Sequence, residues 1–465
     1  MRGADIGVYG LGTMGSALAL NLAEKGFSVS VSNREDDWFD EVLDRAGPLA
    51  ARLQTHATLA HFVGALVPPR VVVLMIPSGA PVDDLIGKLQ PLLDPGDTLV
   101  DAGNADFHAT RARAAALEPS GIRFVGLGVS GGAEGARHGP SMMMGGPEDS
   151  WQRLRPFLEA IAARFDDTPC VARVGPDGAG HFVKTVHNGI EYAEMQMIAD
   201  IYGLLRDVGD CDTQRIQRLF AGWRRGLLAS YLFDVTARTL DTVDEATGTA
   251  LVDLIRDRAE QKGTGRWTAI EALDLGQPAN TIEAAVSARA WSSQDTRRAA
   301  LAEPFGGLGG RASLPSPQDI EDAMIACRVI SHMQGVSVLQ AASEKYDWGL
   351  DVGSIARIWR AGCIIRSDYL DLLADVLDAC GTGDPLLHPH IAPLLDRGIP
   401  CLRRTVGAAV HAGQPVPVLA AALTWFDSLR QTRGTANIIQ AQRDYFGNHG
   451  FERTDKDGTH HGPWS

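Results

Sequence analysis

Lys184, Asn188 and Glu191 stand at i, i+4 and i+7 in His181-Phe182-Val183-Lys184-Thr185-Val186-His187-Asn188-Gly189-Ile190-Glu191-Tyr192. On an α-helix, about 100° per residue puts all three on one face, spread over roughly 10 Å. An amine, an amide and a carboxyl would then line one wall, separated by about the length of a sugar fragment. Such a pair can take a proton from a small polar molecule at one end and return one at the other. Val183, Val186 and Ile190 remain for the opposite side. The same spacing also describes a solvated face carrying a Lys–Glu ion pair, and spacing alone does not separate the two readings.

Gly10-Leu11-Gly12-Thr13-Met14-Gly15 follows a β-branched run and opens a helical pattern. The first glycine permits a tight turn, the second admits a pyrophosphate to the backbone, and the third packs helix on sheet. The helix N-terminus offers N–H groups to the anion, so the segment is expected to bind a dinucleotide. The next strand ends in Ser32-Asn33-Arg34. An acid there would accept a ribose 2′-hydroxyl. Uncharged Asn33 and cationic Arg34 instead favour a 2′-phosphate, hence NADP over NAD. Glu35 works against that preference, and an ordinary surface role for Arg34 stays open.

Three further segments could meet a ligand. Asp101-Ala102-Gly103-Asn104 closes a strand, where open α/β sheets place ligands. Gly128-Val129-Ser130-Gly131-Gly132 reads as a small-residue loop after the next strand, with N–H groups suited to a carboxylate. Gln261-Lys262-Gly263-Thr264-Gly265 exposes backbone beside a lysine and suits a phosphate. It lacks P-loop spacing and follows no strand, so it does not point to a nucleoside triphosphatase.

The elements that must position these groups alternate over the first part of the chain. Strand-like runs at Asp5–Tyr9, Phe27–Ser32, Val71–Ile76, Thr98–Ala102 and Arg123–Leu127 are separated by helical patterns such as Met14–Lys25 and Pro81–Leu93. That rhythm predicts an α/β, Rossmann-like, doubly wound and mainly parallel sheet over residues 1–177. Gly175-Pro176-Asp177-Gly178-Ala179-Gly180 is a breaker cluster. Residues 178–446 then carry three- and four-residue apolar spacing, predicting a large all-α domain interrupted near 304–317 and 381–393. Residues 447–465 form a polar tail.

At 465 residues with 45% hydrophobic and 22% charged residues, the chain has the make-up of a globular protein of more than one domain. No apolar run reaches spanning length, and the N-terminus does not read as a signal peptide, so no membrane partner is expected and a cytoplasmic location is. A net charge of −14 argues against nucleic acid as a partner. The six cysteines form no C-x-x-C, and neither His388/His390 nor His460/His461 has zinc-site spacing, so no metal is expected.

Taken together, GLGTMG (10–15), DAGN (101–104), GVSGGAEGARHGPSMM (128–143), GAGHFVKTVHNGIEY (178–192), QKGTGRWT (261–268), IWRAGCIIRS (358–367) and QAQRDYFGNHGFER (440–453) resemble the signatures of the 6-phosphogluconate dehydrogenases, in the family's order and over nearly the whole chain. The resemblance implies NADP-dependent oxidative decarboxylation of 6-phosphogluconate to ribulose 5-phosphate, with Lys184 as base and Glu191 as acid. It implies cofactor contacts from residues 10–15, Asn33, Arg34, Glu35, Ile76, Pro77, Ser78 and Asn104. Substrate contacts would come from Asn104, Ser130, Gly131, Gly132, His187, Asn188, Tyr192, Lys262, Arg289, Arg443 and His449. The last two would reach the partner's site in a homodimer through the tail. Three positions depart from the family. Ile76-Pro77-Ser78-Gly79 lacks the usual lysine, and Glu35 replaces a common threonine; both remove positive potential where a 2′-phosphate would lie. Glu260 replaces a small residue. A relative acting on a small unphosphorylated acid, and a non-catalytic NADP-binding protein, are the competing readings.

Overall fold

The computed structural model describes residues 3–464 except 262, 307–311 and 382. Eight strands form one sheet: β1 Ile6–Tyr9, β2 Val29–Ser32, β3 Leu53–Thr55, β4 Val71–Leu74, β5 Thr98–Asp101, β6 Arg123–Ser130, β7 Ser141–Gly145 and β8 Val171–Gly175. Their spatial order is β8-β7-β6-β5-β4-β1-β2-β3. Pairing is parallel everywhere except between β6 and β7. The chain therefore winds outward both ways from β1 and β4, and the crevice between those two strands is the ligand-binding switch point of such sheets.

Alternation along the strands explains burial on both faces. Val71, Val73 and Val100 join one core with Leu18 and Leu22; Val72, Leu74 and Leu99 join another with Phe62 and Leu85. The doubly wound sheet is as the sequence predicts, with three strands added. Short Leu53–Thr55 carried no signal of its own. Ser141–Gly145, with three consecutive methionines, and Val171–Gly175 lack the bounded β-branched pattern on which the assignment rested.

Helix α1 is Thr13–Glu24, α2 Gly132–His138, and α3 Ala179–Gly203. α3 lies across β6 and β7 at glycine-only distance. A Cβ on Gly180 would sit 2.4 Å from the Gly126 carbonyl oxygen, and one on Gly128 would sit 2.4 Å from Lys184 Cβ. Two helices enclose its other sides. Thr268 of α4 (Thr264–Asp274) donates to the Thr185 carbonyl at 2.7 Å and abuts Gly189. Ile190 and Val186 pack onto Gly335 of α5 (Pro317–Tyr346). The helical core is thus continuous with the sheet: Phe107 and Met143 belong to the same cluster as Val183 and Met333. The two Pro/Gly interruptions fall where expected, with helices stopping at Phe305 and Cys380 and resuming at Pro317 and Ala392.

The chain ends in α6, Ala436–Gly447, followed by a hairpin pairing Phe451–Glu452 with Thr459–His460. The tail is ordered by one carboxylate. Asp444 Oδ1 accepts from the Gly450 N–H (2.8 Å) and lies 2.7 Å from His461 Nδ1. Its Oδ2 accepts from the Gly462 N–H (2.8 Å) and Trp464 Nε1 (2.6 Å).

Candidate active site

The first turn of α1 has no side-chain cap, which leaves its N–H groups for a ligand. Gly10 has φ of 99°, open to glycine, and a Cβ there would meet the Met75 carbonyl at 2.4 Å. A Cβ on Gly15 would sit 1.8 Å from the Gly10 carbonyl, whereas one on Gly12 would meet nothing within 4 Å. The turn is therefore tight where helix meets strand and open where a pyrophosphate must approach. Leu11 is fully buried beneath it, while Gly12 and Thr13 are exposed and Met14 is half-buried. Asn33 Oδ1 accepts from the Leu11 N–H at 2.9 Å, so the end of β2 fixes the loop. Ile76, Pro77 and Ser78 follow β4 across this turn, and the Ile76 carbonyl closes on Gly103. These residues fit a dinucleotide. The Arg34 guanidinium, at the exposed end of β2, pairs with Glu35 Oε1 at 2.5 Å.

Lys184, His187, Asn188 and Tyr192 are buried, and Glu191 is half-buried. The solvated-face reading of this helix is excluded. His187, wholly buried, gathers the group. Its Nδ1 lies 3.1 Å from Asn188 Oδ1, 3.5 Å from Lys184 Nζ and 3.8 Å from Glu191 Oε2; its Nε2 lies 3.3 Å from Ser130 Oγ. Amine and carboxylate both lean toward the ring, so they are closer than their helical separation of roughly 10 Å. With Asn188 Oδ1 accepting, the neutral ring carries its proton on Nδ1 and accepts from Ser130 at Nε2.

Burial shifts every titration here toward the uncharged form. It lowers the Lys184 amine below its usual range against the attraction of Glu191. It raises the Glu191 carboxyl against Lys184 and Arg289. His187 is driven well below its usual value, first by burial and then by Lys184. An amine that gives up its proton more readily and a carboxyl that keeps its proton to higher pH, on one wall, are what a base and an acid acting near neutrality require.

Ser130 ends β6, so the expectation of a loop over residues 128–132 is corrected: the strand runs three residues further, and only Gly131 and Gly132 turn away, with φ of 108° and 63°. Gly131 caps α2, and a Cβ there would meet the Gly362 carbonyl at 2.4 Å. Asn104 is exposed at the mouth of the crevice. Arg289 lies 3.5 Å over the Tyr192 ring, bonds the Glu260 carbonyl at 3.1 Å and lies 3.3 Å from Met195 Sδ. The Glu260 side chain is exposed, and nothing in the structure explains its identity. Lys262 lies outside the described residues.

Arg443 and His449 are not brought to this face within the chain. Arg443 bonds Gln440 at 3.1 Å, and His449 rests against Phe446. Sequence reasoning missed the segment around Trp359–Cys363 as a source of site residues, although it quoted the motif. Trp359 packs edge-on to His187 with centroids 5.4 Å apart. Cys363 is wholly buried near Lys184, and burial pushes its thiol up to about 12. Arg113 was also missed. It joins Asp83, Asp101 and the Gly79 carbonyl beside the cofactor crevice, and its place inside a helix of mixed polarity gave no signal.

Two family models cover the chain: the NAD binding domain of 6-phosphogluconate dehydrogenase over residues 5–175 and the C-terminal domain of 6-phosphogluconate dehydrogenase over 180–464. The chain belongs to the 6-phosphogluconate dehydrogenase family. A decarboxylating 6-phosphogluconate dehydrogenase of Synechococcus elongatus is 43% identical, with 99% of each chain covered. An NADP(+)-dependent, decarboxylating 6-phosphogluconate dehydrogenase of Bacillus subtilis is 42% identical over 100% of both chains. A solved 6-phosphogluconate dehydrogenase of Plasmodium falciparum, described as apo and in complex with NADP+ and with 6-phosphogluconate, superposes with a TM-score of 0.95 at 35% identity. It covers 99% of this chain and 100% of its own.

Proposed function

We propose that this protein oxidises and decarboxylates 6-phospho-D-gluconate with NADP, yielding D-ribulose 5-phosphate and carbon dioxide, and that it works in the cytoplasm as a homodimer. The observation that carries the reading is the buried Lys184–His187–Glu191 face, set against a dinucleotide crevice in a chain related end to end to such enzymes. NADP, held by residues 10–15 and the end of β2, supplies the hydride acceptor.

Neutral Lys184 takes the proton of the substrate's C3 hydroxyl as C3 is oxidised. The resulting ammonium then donates to the C3 oxygen and draws electrons toward it while the C1–C2 carboxyl bond breaks. A carboxylate β to a ketone needs no further electron sink. Protonated Glu191 delivers a proton to the carbon left behind while the Lys184 amine takes back the enol hydroxyl proton, giving the ketose. Ser130, His187 and Asn188 hold the hydroxyls. The Tyr192–Arg289 pair, with Lys262, binds the phosphate, and binding at that remote end orients C3. Arg443 and His449 would come from the partner's arm.

Initial rates on 6-phosphogluconate and on 3-hydroxyisobutyrate, with carbon dioxide collected, test the reading. Turnover confined to the unphosphorylated acid, or nucleotide binding without turnover of either acid, overturns it.

A further inference from the structure

At the end of β2 four residues form one linked set. Leu11 N–H binds Asn33 Oδ1, Asn33 Nδ2 binds both the Glu35 carbonyl (3.1 Å) and Glu35 Oε2 (3.3 Å), and Glu35 Oε1 holds Arg34. A carboxylate therefore sits against Arg34, the cation that the end of β2 offers to a 2′-phosphate. The surroundings reinforce it. Asp36, Asp37, Asp40 and Glu41 follow, all exposed, and the segment after β4 is Ile76-Pro77-Ser78, without a lysine.

We propose that Glu35 sets the cofactor specificity of this enzyme: it weakens the 2′-phosphate subsite, offers an acceptor to a ribose 2′-hydroxyl, and so admits NAD beside NADP. The inference rests on the dehydrogenase reading above and deepens it. The Arg34–Glu35 pair is exposed, so an arriving dianion separates it readily. What the dianion cannot remove is the charge of Glu35 itself, which stays next to whatever phosphate Arg34 grips and opposes it. A ribose hydroxyl meets no such repulsion. It donates to the same carboxylate, the role an acid near this strand end plays in NAD-binding sheets. Asn33 Nδ2 binds the Glu35 backbone carbonyl and one carboxylate oxygen, which holds the carboxylate beside the end of β2.

The test uses full-length wild type, Glu35→Gln and Arg34→Ala. Calorimetric titration with adenosine 2′,5′-bisphosphate and with adenosine 5′-monophosphate reads the subsite without turnover. Glu35→Gln should bind the bisphosphate on the order of tenfold more tightly at low salt, with a smaller gain at high salt, and should bind the monophosphate no better. Arg34→Ala should bind the bisphosphate more weakly. In rate measurements, wild type should use both cofactors, and Glu35→Gln should raise the NADP-to-NAD ratio of kcat/KM by a similar factor. A bisphosphate affinity unchanged within twofold in Glu35→Gln, or a wild type that rejects NAD, overturns the proposal. Failure of sugar-acid turnover with these titrations as expected would instead overturn the dehydrogenase reading and leave the subsite assignment standing.

Discussion

A lysine is a poor base at neutral pH unless its surroundings penalise its charge, and here burial supplies that penalty while Glu191 opposes it. Lys184→Met removes the titrating group and keeps the apolar stem that packs on Gly128. It should fold, bind NADP and lose turnover by about 10²–10⁴. Near-normal kcat would remove Lys184 as the base. Glu191 acts on the other side of the reaction, and its raised carboxyl keeps a proton to higher pH than usual. Glu191→Gln should therefore lose the enzyme-catalysed exchange of the C1 hydrogens of ribulose 5-phosphate in deuterium oxide, read by NMR, along with most turnover. Exchange at the wild-type rate would assign the proton delivery elsewhere. Helical spacing made only the shared face of these two positions legible; the roles of base and acid came from the family resemblance, since the same spacing also describes a solvated Lys–Glu face. His187 as the hub was not legible: the family resemblance offered it only as a substrate contact, and its partners include Ser130, which lies 57 residues away in sequence. The bond between Arg34 and Glu35 was not legible, because local sequence does not say which way two adjacent side chains turn.

At the scale of elements, the site depends on how closely α3 approaches β6. Gly180 touches the backbone of Gly126 and Gly145, and no rotamer change relieves a Cβ placed there. Gly180→Ala should push the helix off the sheet, cost roughly 1–3 kcal/mol of stability and carry Lys184 away from the crevice. A displacement of about 1 Å can cost 10²-fold in rate, so kcat should fall by more than the loss of folded protein explains. Gly87→Ala is the control, at an exposed helical position where a Cβ meets nothing. It should leave kcat alone and stabilise by about 0.4–1 kcal/mol. Thermal melts and kcat on both variants decide the matter, and an intact kcat in Gly180→Ala would mean that α3 is free to adjust. In the sequence Gly180 looked like part of a breaker cluster marking a domain junction. Its tighter role is invisible there, because the strands it crosses lie about 35–55 residues earlier and their carbonyls leave no trace in composition.

The whole molecule presents a different problem at its C-terminal end. The alternation of strands and the helical periodicity announced a sheet followed by a helical body, and the two-residue strands of the tail hairpin are too short to carry a pattern. What the tail does is decided by Asp444, a buried residue on an otherwise exposed helix whose Ile438, Ile439, Tyr445 and Phe446 lie open. Four donors hold its carboxyl well below the usual range, the Gly462 N–H foremost. A lowered value means that the ionised form favours the folded tail. That contribution is present above the ordinary aspartate range and is lost as pH falls through the folded value, so the tail should stay closed across neutral and mildly acidic pH. Open apolar residues beside a rigid hairpin suit a second copy of the chain, and the same rigidity would hold Arg443 and His449 toward that copy's substrate. Asp444→Asn replaces one acceptor oxygen with a donor facing donors. It should speed tryptic cleavage at Arg453 and Lys456 and raise KM for 6-phosphogluconate, with kcat changed far less. Arg443→Ala should give the same rise in KM with the tail still resistant to trypsin. If both variants keep wild-type KM while only Asp444→Asn is cleaved faster, the arm stabilises itself and serves no active site.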